Sequence, residues 1–547
     1  MTFVITQTCC NDTACVAACP VGCIHPTADS PDHGTTEMLY IDPQSCIDCG
    51  ACVDVCPVGA IHPGDQLPDS QVRYADINAD YFRASSGDRL PIEPVGARRA
   101  APVQQRVARV AVVGAGPSGL YVAEELMRRG IEVSMLDRLP TPFGLVRAGV
   151  APDHPGTKGI TDSFGWTMAR PELHTYLNVE LGSDIQHEDL AAAHHAVVYT
   201  VGASVDRPLG IPGEQLAGSH GAGDFVGWYN GHPDFSQLTF DLSHPRAVVV
   251  GNGNVALDIA RVLVAGPEVL SRTDIADHAL EALRRSNVRE VVVLGRRGPS
   301  EAAFTASELL ALGYLDGVGV TVHPRDLNTP RSDGRSAAYG SQLKERILSE
   351  FGRPVRGSDR RIVLRFFGSP VELEGADRVQ GLRVARNRLE PDPHGALVAV
   401  PTGEVESIET GLVLASTGFR GTPLAGLPFD DARGVVPSEG GRVVADPALR
   451  GVYVSGWIKR GPSGNIGTNK SCAEETVRNL LDDLDAGRLA TPTTSRSAFE
   501  TRLSERQPAW VGRRGWQSID EHELAAGRPG GRPRVKVVDK DRLLRLT

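Results

Sequence analysis

The chain has 547 residues, room for about three or four domains, and its 23% charged and 41% hydrophobic residues are those of a globular protein. A formal net charge of −10, from 57 basic and 67 acidic residues, argues against nucleic acid as a ligand. No apolar run reaches the roughly 18 residues of a membrane helix, and Met1–Ile5 lacks the basic start of a secretory signal, so a cytoplasmic setting that keeps thiols reduced is expected.

The charge is uneven. Up to residue 85 eleven acids accompany only Arg73 and Arg83, so −9 of the −10 lies there, and the rest of the chain holds 55 basic and 56 acidic residues. Such a segment suits a partner with a basic face, on the same polypeptide, on an outside acceptor, or on both. The same segment repeats itself. Ala14–Pro26 returns as Ala51–Pro63, and nine of the ten cysteines precede residue 57. The second copy reads Cys46-x2-Cys49-x2-Cys52-x3-Cys56-Pro57, a run that holds iron–sulfur clusters, with the fourth cysteine reaching the other cluster of a pair. The assignment is crosswise. Cys46, Cys49 and Cys52 with Cys19 hold one 4Fe–4S cluster, and Cys9 and Cys15 with Cys56 hold the other. Zinc prefers Cys-x2-Cys pairs spaced for a tetrahedron, and disulfides need an oxidising compartment. Neither suits a crowded triple run.

In the first copy Asp12 stands where the second has Cys49. Three arrangements fit: a 3Fe–4S cluster on Cys9, Cys15 and Cys56; a 4Fe–4S cluster with Asp12 or water on the odd iron; or a ligand from Cys10 after a local shift. Cys23 aligns with Ala60 and reads as a packing cysteine. The repeat resembles the bacterial two-cluster ferredoxins over residues 1–65.

Residues 66–107 carry Pro, Asp, Ser and Arg without an apolar period and read as a linker, ordered in part around Tyr74, Tyr81 and Phe82. Val110–Val113 then reads as a buried strand, followed by Gly114-x-Gly116-x-x-Gly119, a helix over Leu120–Arg129, and a strand Val133–Leu136 ending at Asp137. This is a dinucleotide fingerprint in its βαβ context, and the acid suits a free ribose hydroxyl, hence FAD. A second fingerprint follows strand Ala247–Val250: Gly251-x-Gly253-x-x-Ala256, with a helix over Val255–Leu263. Its next strand, Val291–Leu294, is delayed by an insertion at 265–287 and ends in Arg296 and Arg297, which suit the 2′-phosphate of NADP. Cys472 reads as a packing thiol on a helix. Gly527–Pro533 is too rich in breakers for a helix, and the segment from Ala498 to Arg534 reads as mixed helix and loop.

Arg138–Pro155 and Trp457–Lys470, together with Asn252–Val255 and Arg296–Pro299, resemble the adrenodoxin-reductase type of ferredoxin–NADP reductase. The likeness covers residues 108 to about 540. It implies that Ala115, Asp137, Leu145, Trp457, Gly464, Asn465 and Ile466 contact FAD. It implies that Arg207, Asn252, Gly253, Asn254, Val255, Arg296, Arg297 and Glu308 contact NADP, with Gly464 also near the nicotinamide. Phe143 stands where Trp is more usual, and Asp137 where Glu is. Trp457, Gly464 and His154 are the candidates at the reacting centre, His154 with plain packing as its alternative. The family also implies an NADP domain inserted into the FAD domain, with Val198–Ala203 and Leu412–Gly418 as hinge strands.

The expected architecture is an α+β ferredoxin module, a tandem βαβ-like repeat, followed by an α/β flavoprotein reductase with two dinucleotide-binding domains. Its boundaries are 1–65 for the ferredoxin, 66–107 for a linker, 108–205 for the first part of the FAD domain, 206–411 for the NADP domain, and 412–547 for the second part with a C-terminal extension that covers the reductase. The expected function is a ferredoxin–NADP(+) reductase with a built-in ferredoxin. NADPH gives hydride to FAD, single electrons pass to the clusters, and they leave for a redox protein such as a haem-thiolate monooxygenase or another ferredoxin-dependent enzyme, without membrane or nucleic acid. Two other readings are an electron-input subunit of a larger redox complex and an iron–sulfur flavoprotein sensor.

Overall fold

The computed structural model describes residues 2–27, 30, 36–84, 108–327, 339–351, 359–443 and 449–547. Residues 85–107 of the expected linker, and Asp29 and Asp32 of the acidic segment, lie outside the described residues.

The sequence repeat is also a backbone repeat. Asn11 and Asp48 occupy left-handed φ of 58° and 56°, and Thr13 and Gly50 do so at 62° and 74°, immediately before helices Ala14–Ala18 and Ala51–Asp54. Each copy sends one strand to the other. Phe3–Ile5 pairs antiparallel with Ile61–Pro63, and Ile24–His25 with Tyr40–Ile41. The strand exchange holds the two copies face to face, which is what a crosswise cysteine assignment needs.

Part of the stretch read as linker is a helix, Arg73–Ala84, seated on this module. Tyr74, Ile77, Tyr81 and Phe82 are buried, and the ring of Tyr81 stacks on Tyr40 with centroids 4.2 Å apart. Asn78 fixes the helix. Its Oδ1 accepts from the N–H groups of Ile5 (3.3 Å) and Ile41 (2.9 Å), one from each copy of the repeat, and its Nδ2 donates to the carbonyl of Ile5 at 2.9 Å.

Two parallel-type sheets follow. The first has strand order Ser438–Glu439, Arg442–Val443, Val452–Val454, Ala196–Tyr199, Arg109–Val113, Glu132–Asp137, Leu173–Leu177. The second runs Ser219–Gly221, Leu412–Ala415, Arg246–Val250, Glu290–Leu294, Arg360–Arg365, Val318–Val322. These strands are apolar because helices or a further layer cover both faces. On the second sheet that layer is an antiparallel three-stranded sheet, Gly368–Glu374, Gly381–Pro391 and Leu397–Glu409. The insertion at 265–287 contains the helices Pro267–Leu270 and Asp277–Arg284.

One expected boundary moves. Leu412–Ala415 is an inner strand of the second sheet, paired with both Arg246–Val250 and Ser219–Gly221. The chain therefore returns to the first sheet after residue 415, not at 412. The two crossings meet instead as a small antiparallel pair, Val205–Asp206 with Phe419–Arg420. Four apolar residues ending in a small-residue turn look alike whether the strand is the last of one sheet or an inner strand of the next, so the pattern did not separate them.

The C-terminal segment forms helices Arg496–Arg506 and Arg513–Gly527. It then crosses both halves. Buried Glu523 takes Arg147 in two hydrogen bonds of 2.6 and 2.9 Å, and Lys536 reaches Asp274 at 2.9 Å. Among the described residues no helix is long and apolar enough to cross a membrane.

Replacing Asn78 by Ala leaves three backbone groups short of a partner, so a loss of about 2–4 kcal/mol is expected in the N-terminal module. Thermal melts followed by cluster absorbance should shift down while flavin fluorescence does not. A coincident shift of both signals, or none, contradicts the placement.

Candidate cofactor sites and the contact between them

The cysteines gather into two groups. Cys9, Cys15 and Cys56 line one cavity together with Cys10, Asn11 and Asp12, closed by Ile5, Leu39, Val58 and Ile61. Cys52 lies in the electrostatic reach of Cys19, Cys46 and Cys49 in the other. Burial pushes the thiols of Cys9 and Cys52 up to about 11, so as bare thiols they would stay protonated. The backbone is nevertheless arranged for thiolate sulfur. The N–H of Cys23 donates to Sγ of Cys19 at 3.4 Å, and the N–H of Ala60 to Sγ of Cys56 at 3.2 Å, at equivalent positions of the two copies. Sulfurs that already accept N–H bonds fit an iron–sulfur cluster, whose iron supplies the missing positive charge. Cys23 is buried in the core of the module, with its Sγ 3.3 Å from that of Cys19.

Asp12 is already occupied. Its Oδ1 accepts from the N–H of Ala14 at 3.0 Å, and Lys470 places Nζ 3.0 Å from its carbonyl oxygen and 3.4 Å from Oδ2.

At the first fingerprint the βαβ turn is built as its sequence requires. A Cβ on Gly119 would lie 1.9 Å from the carbonyl oxygen of Gly114, so only glycine allows the helix Pro117–Arg128 to approach the strand. Asp137 at the strand end binds the turn itself: Oδ2 accepts from Ala115 N–H at 2.7 Å and Oδ1 from Leu139 N–H at 2.9 Å. Gly116 faces Gly144, and Leu145 beyond it is 47% exposed, apolar surface open to a ligand. The stretch 456–470 closes the same end of the sheet, with Gly456 against Ser118 and Ser455 bonded to Ser118 at 3.1 Å. Arg460 donates to Ser463 and Asn469 there and buries Nη1 without an acceptor among the described residues. Gly464, Asn465 and Ile466 form a turn bonded to Thr468, and Cys472 is buried behind it, its Sγ accepting from Gly456 N–H at 3.2 Å. Trp457 stacks on Phe419 (centroids 6.3 Å), whose carbonyl accepts from Nε of Arg207 at 3.1 Å. Phe143 holds φ +80° and sets its ring edge-on to Trp516 at 5.6 Å. A glycine-lined cradle with an unpaired buried guanidinium N–H fits an anionic dinucleotide.

The second fingerprint repeats the plan. Gly251 precedes helix Asn254–Val264, Asn252 packs under Gly295, and Asn254 Oδ1 accepts from Thr305 N–H at 2.8 Å. Arg296 is exposed and Arg297 half-buried at the end of strand Glu290–Leu294, and neither side chain has an ion pair among the described residues. Two uncommitted guanidiniums at that point fit a phosphate.

His154 and Glu308 meet between the two halves, 3.6 Å apart, around Arg261. Arg261 is 3% exposed. It donates to Asp153 (2.9 and 3.2 Å), Asp258 (2.8 Å), Glu308 (3.1 Å) and His154 Nε2 (2.7 Å). A guanidinium has no acceptor, so Nε2 of His154 accepts and the ring proton sits on Nδ1. Burial raises Asp153, but Arg261 outweighs it and holds that carboxyl below its usual range; burial prevails at Asp258, which is raised. His154, Asp258 and Glu308 have the spacing of a metal site, yet Arg261 already supplies the positive charge. Nothing local in the sequence marks Arg261, which sits in an apolar helix.

The N-terminal module rests on both halves. Gly467 N–H donates to the carbonyl of Cys10 at 2.8 Å, and a Cβ on Gly467 would be 2.2 Å from that oxygen. On the second half, Glu37 accepts from Ala306 N–H at 2.5 Å and pairs with Lys344 at 2.8 Å. Arg73 pairs with Glu350, Asp80 with Arg346, and Gln7 reaches Glu308 at 3.5 Å. Acid on the module meets base on the reductase at Asp12, Glu37 and Asp80.

A 4Fe–4S binding domain model matches residues 39–62 and an FAD binding domain model residues 107–166. A probable ferredoxin/ferredoxin–NADP reductase of Mycobacterium tuberculosis is 46% identical, with 100% of this chain and 94% of the relative covered. The chain belongs to the ferredoxin/ferredoxin–NADP reductase family. Its reductase portion is also similar to NADPH-ferredoxin reductase FprA of M. tuberculosis, 47% identical over 80% of this chain and 98% of the relative. The solved structure of FprA in complex with NADPH superposes with a TM-score of 0.77 at 45% identity, covering 81% of this chain and 99% of that one. The mitochondrial NADPH:adrenodoxin oxidoreductase of Arabidopsis thaliana is 40% identical over 80% of this chain and 95% of the relative. The two-dinucleotide-fold reductase and its ferredoxin module are thus those of this family, and the chain is an oxidoreductase.

Exchanging Lys470 for Met removes the ammonium from Asp12 without touching a cysteine. In rapid mixing with NADPH, cluster reduction should slow by about three- to ten-fold, the loss of roughly 1 kcal/mol of charge-assisted contact. An unchanged rate contradicts the contact.

Proposed function

We propose that the chain oxidises NADPH and carries its electrons through FAD into iron–sulfur clusters of its own, and from them to an external one-electron redox protein. The observation that carries this reading is the contact of Gly467 and Lys470, in the flavin-signature stretch, with Cys10 and Asp12 beside one cysteine group. Bound FAD turns a two-electron donor into single-electron steps, and bound clusters store electrons singly. The residues of the chain orient and screen.

Arg296 and Arg297 select NADPH through its 2′-phosphate, with Gly251, Asn252, Gly253, Asn254 and Val255 along the pyrophosphate, Arg207 toward the hinge and Glu308 at the Arg261 junction. Gly114, Ala115, Gly116, Gly119, Asp137 and Leu145 hold FAD from one side, and Trp457, Gly464, Asn465 and Ile466 from the other. His154, fixed by Arg261, keeps a proton on Nδ1 and orders the junction where the two nucleotides meet. Cys19, Cys46, Cys49 and Cys52 hold a 4Fe–4S cluster. Cys9, Cys15 and Cys56 hold a 3Fe–4S cluster; the carboxylate of Asp12 being engaged by Ala14 and Lys470 supports three irons over a fourth iron held by that carboxylate. The outside acceptor is a protein of the haem-thiolate monooxygenase or ferredoxin-dependent kind.

Anaerobic titration with NADPH, followed by electron paramagnetic resonance, tests the reading. The oxidised protein should show the signal of a 3Fe–4S centre, which NADPH removes. A silent oxidised spectrum overturns the three-iron assignment, and clusters that do not respond to NADPH overturn the electron path. Replacing Arg296 and Arg297 together by Gln should lower the preference for NADPH over NADH by about a hundred-fold, two charge-assisted bonds at about 1.4 kcal/mol each. An unchanged ratio of kcat/KM values rejects the phosphate site.

A further inference from the structure

The two cysteine groups differ in what covers them. The group of Cys9, Cys15 and Cys56 faces the reductase, with Cys10 under Gly467 and Asp12 under Lys470. The group of Cys19, Cys46, Cys49 and Cys52 faces outward, and Cys49 is exposed. Around it Ile47 is 59% exposed, Val55 40% and Val53 36%. Three of the chain's thirteen exposed large apolar side chains among the described residues therefore fall within residues 47–55. Side chains that merely shielded a cluster would cover Cys49, and these do not. Asp48 and Asp54, both exposed, flank them. The acids Asp12, Glu37 and Asp80 serve the internal contact, whereas Asp48 and Asp54 lie on the outward side.

We propose that electrons enter the module through the Cys9 group, leave through the Cys49 group, and are collected on the surface formed by Ile47, Val53 and Val55 with Asp48 and Asp54. Its occupant is a small one-electron protein whose redox centre lies in an apolar patch rimmed by Lys or Arg. An acidic rim around an apolar centre steers such a protein and then dries the contact. The module need not leave the reductase to deliver its electrons. The proposal rests on the cluster assignment given above. One NADPH, going to NADP+ and a proton, supplies two electrons, so two ferric haem proteins become ferrous, one electron each.

The probe is cytochrome c, a haem protein with a basic rim. Asp48 has φ +56°, which Asn tolerates, so the face variant is Asp48→Asn with Asp54→Lys. The control, Asp65→Asn with Asp69→Lys, makes the same change in charge on the exposed turn before helix Arg73–Ala84. The face variant should raise the KM for cytochrome c by about ten-fold and the control by less than about two-fold. In both, NADPH should still reduce the clusters by paramagnetic resonance. Equal changes in the two variants mean that only net charge matters and overturn the face; no change in either overturns it as well. If the face variant loses its clusters, Asp54→Lys against Asp69→Lys gives the same comparison. If NADPH fails to reduce the clusters of the parent protein, the electron path itself is wrong, a failure distinct from that of the face.

Discussion

The hydrogen bond from Gly467 to the carbonyl of Cys10 joins a flavin-signature turn to the wall of a sulfur-lined cavity, across more than 400 residues of chain. Neither side tolerates much change. A Cβ on Gly467 would strike the backbone of Cys10 and Asn11, and Asn11 is itself held at a left-handed φ by the turn that carries the cysteines. Lys470, one helical turn on, adds a charge to Asp12. The geometry of the cluster turn and that of the flavin turn are therefore one constraint. Electron transfer needs short distance more than any acid–base group, so a fixed backbone contact is the appropriate device.

The same module also grips the NADP half, and this gives the contact a second consequence. Glu37 is the firmest anchor, since its carboxylate takes both a backbone N–H and a largely buried ammonium. The exposed pair of Arg73 and Glu350 contributes little by comparison, at most about 1 kcal/mol. Touching both halves, the module stands with the Arg261 network and the C-terminal segment as a third brace on their relative orientation. Buried Arg261 binds groups from both halves at once, and losing it would leave three carboxylates close together with no compensating charge.

What was legible in the sequence was local. The cysteine repeat and both glycine fingerprints are written in short spacings, and the backbone follows them turn by turn. The helix Arg73–Ala84 was only half visible, because its apolar residues serve a module whose other face is made by Ile5 and Ile41, far away in the chain. The domain return after residue 415 was misplaced for a related reason: an inner strand and a hinge strand share one apolar pattern. Arg261 was not marked at all, Lys470 was seen only as the end of a signature stretch, and Glu37 only as one acid among eleven. Each is an ordinary charged residue whose role is set by a partner on another domain.

The central claim is that the docked contact is the electron route within one chain. Rapid mixing of the oxidised protein with excess NADPH, over a wide range of protein concentration, measures it directly. The account predicts that cluster reduction follows a single first-order rate independent of protein concentration. A rate that rises in proportion to protein concentration would mean that the clusters are reduced by a second molecule, and would contradict it.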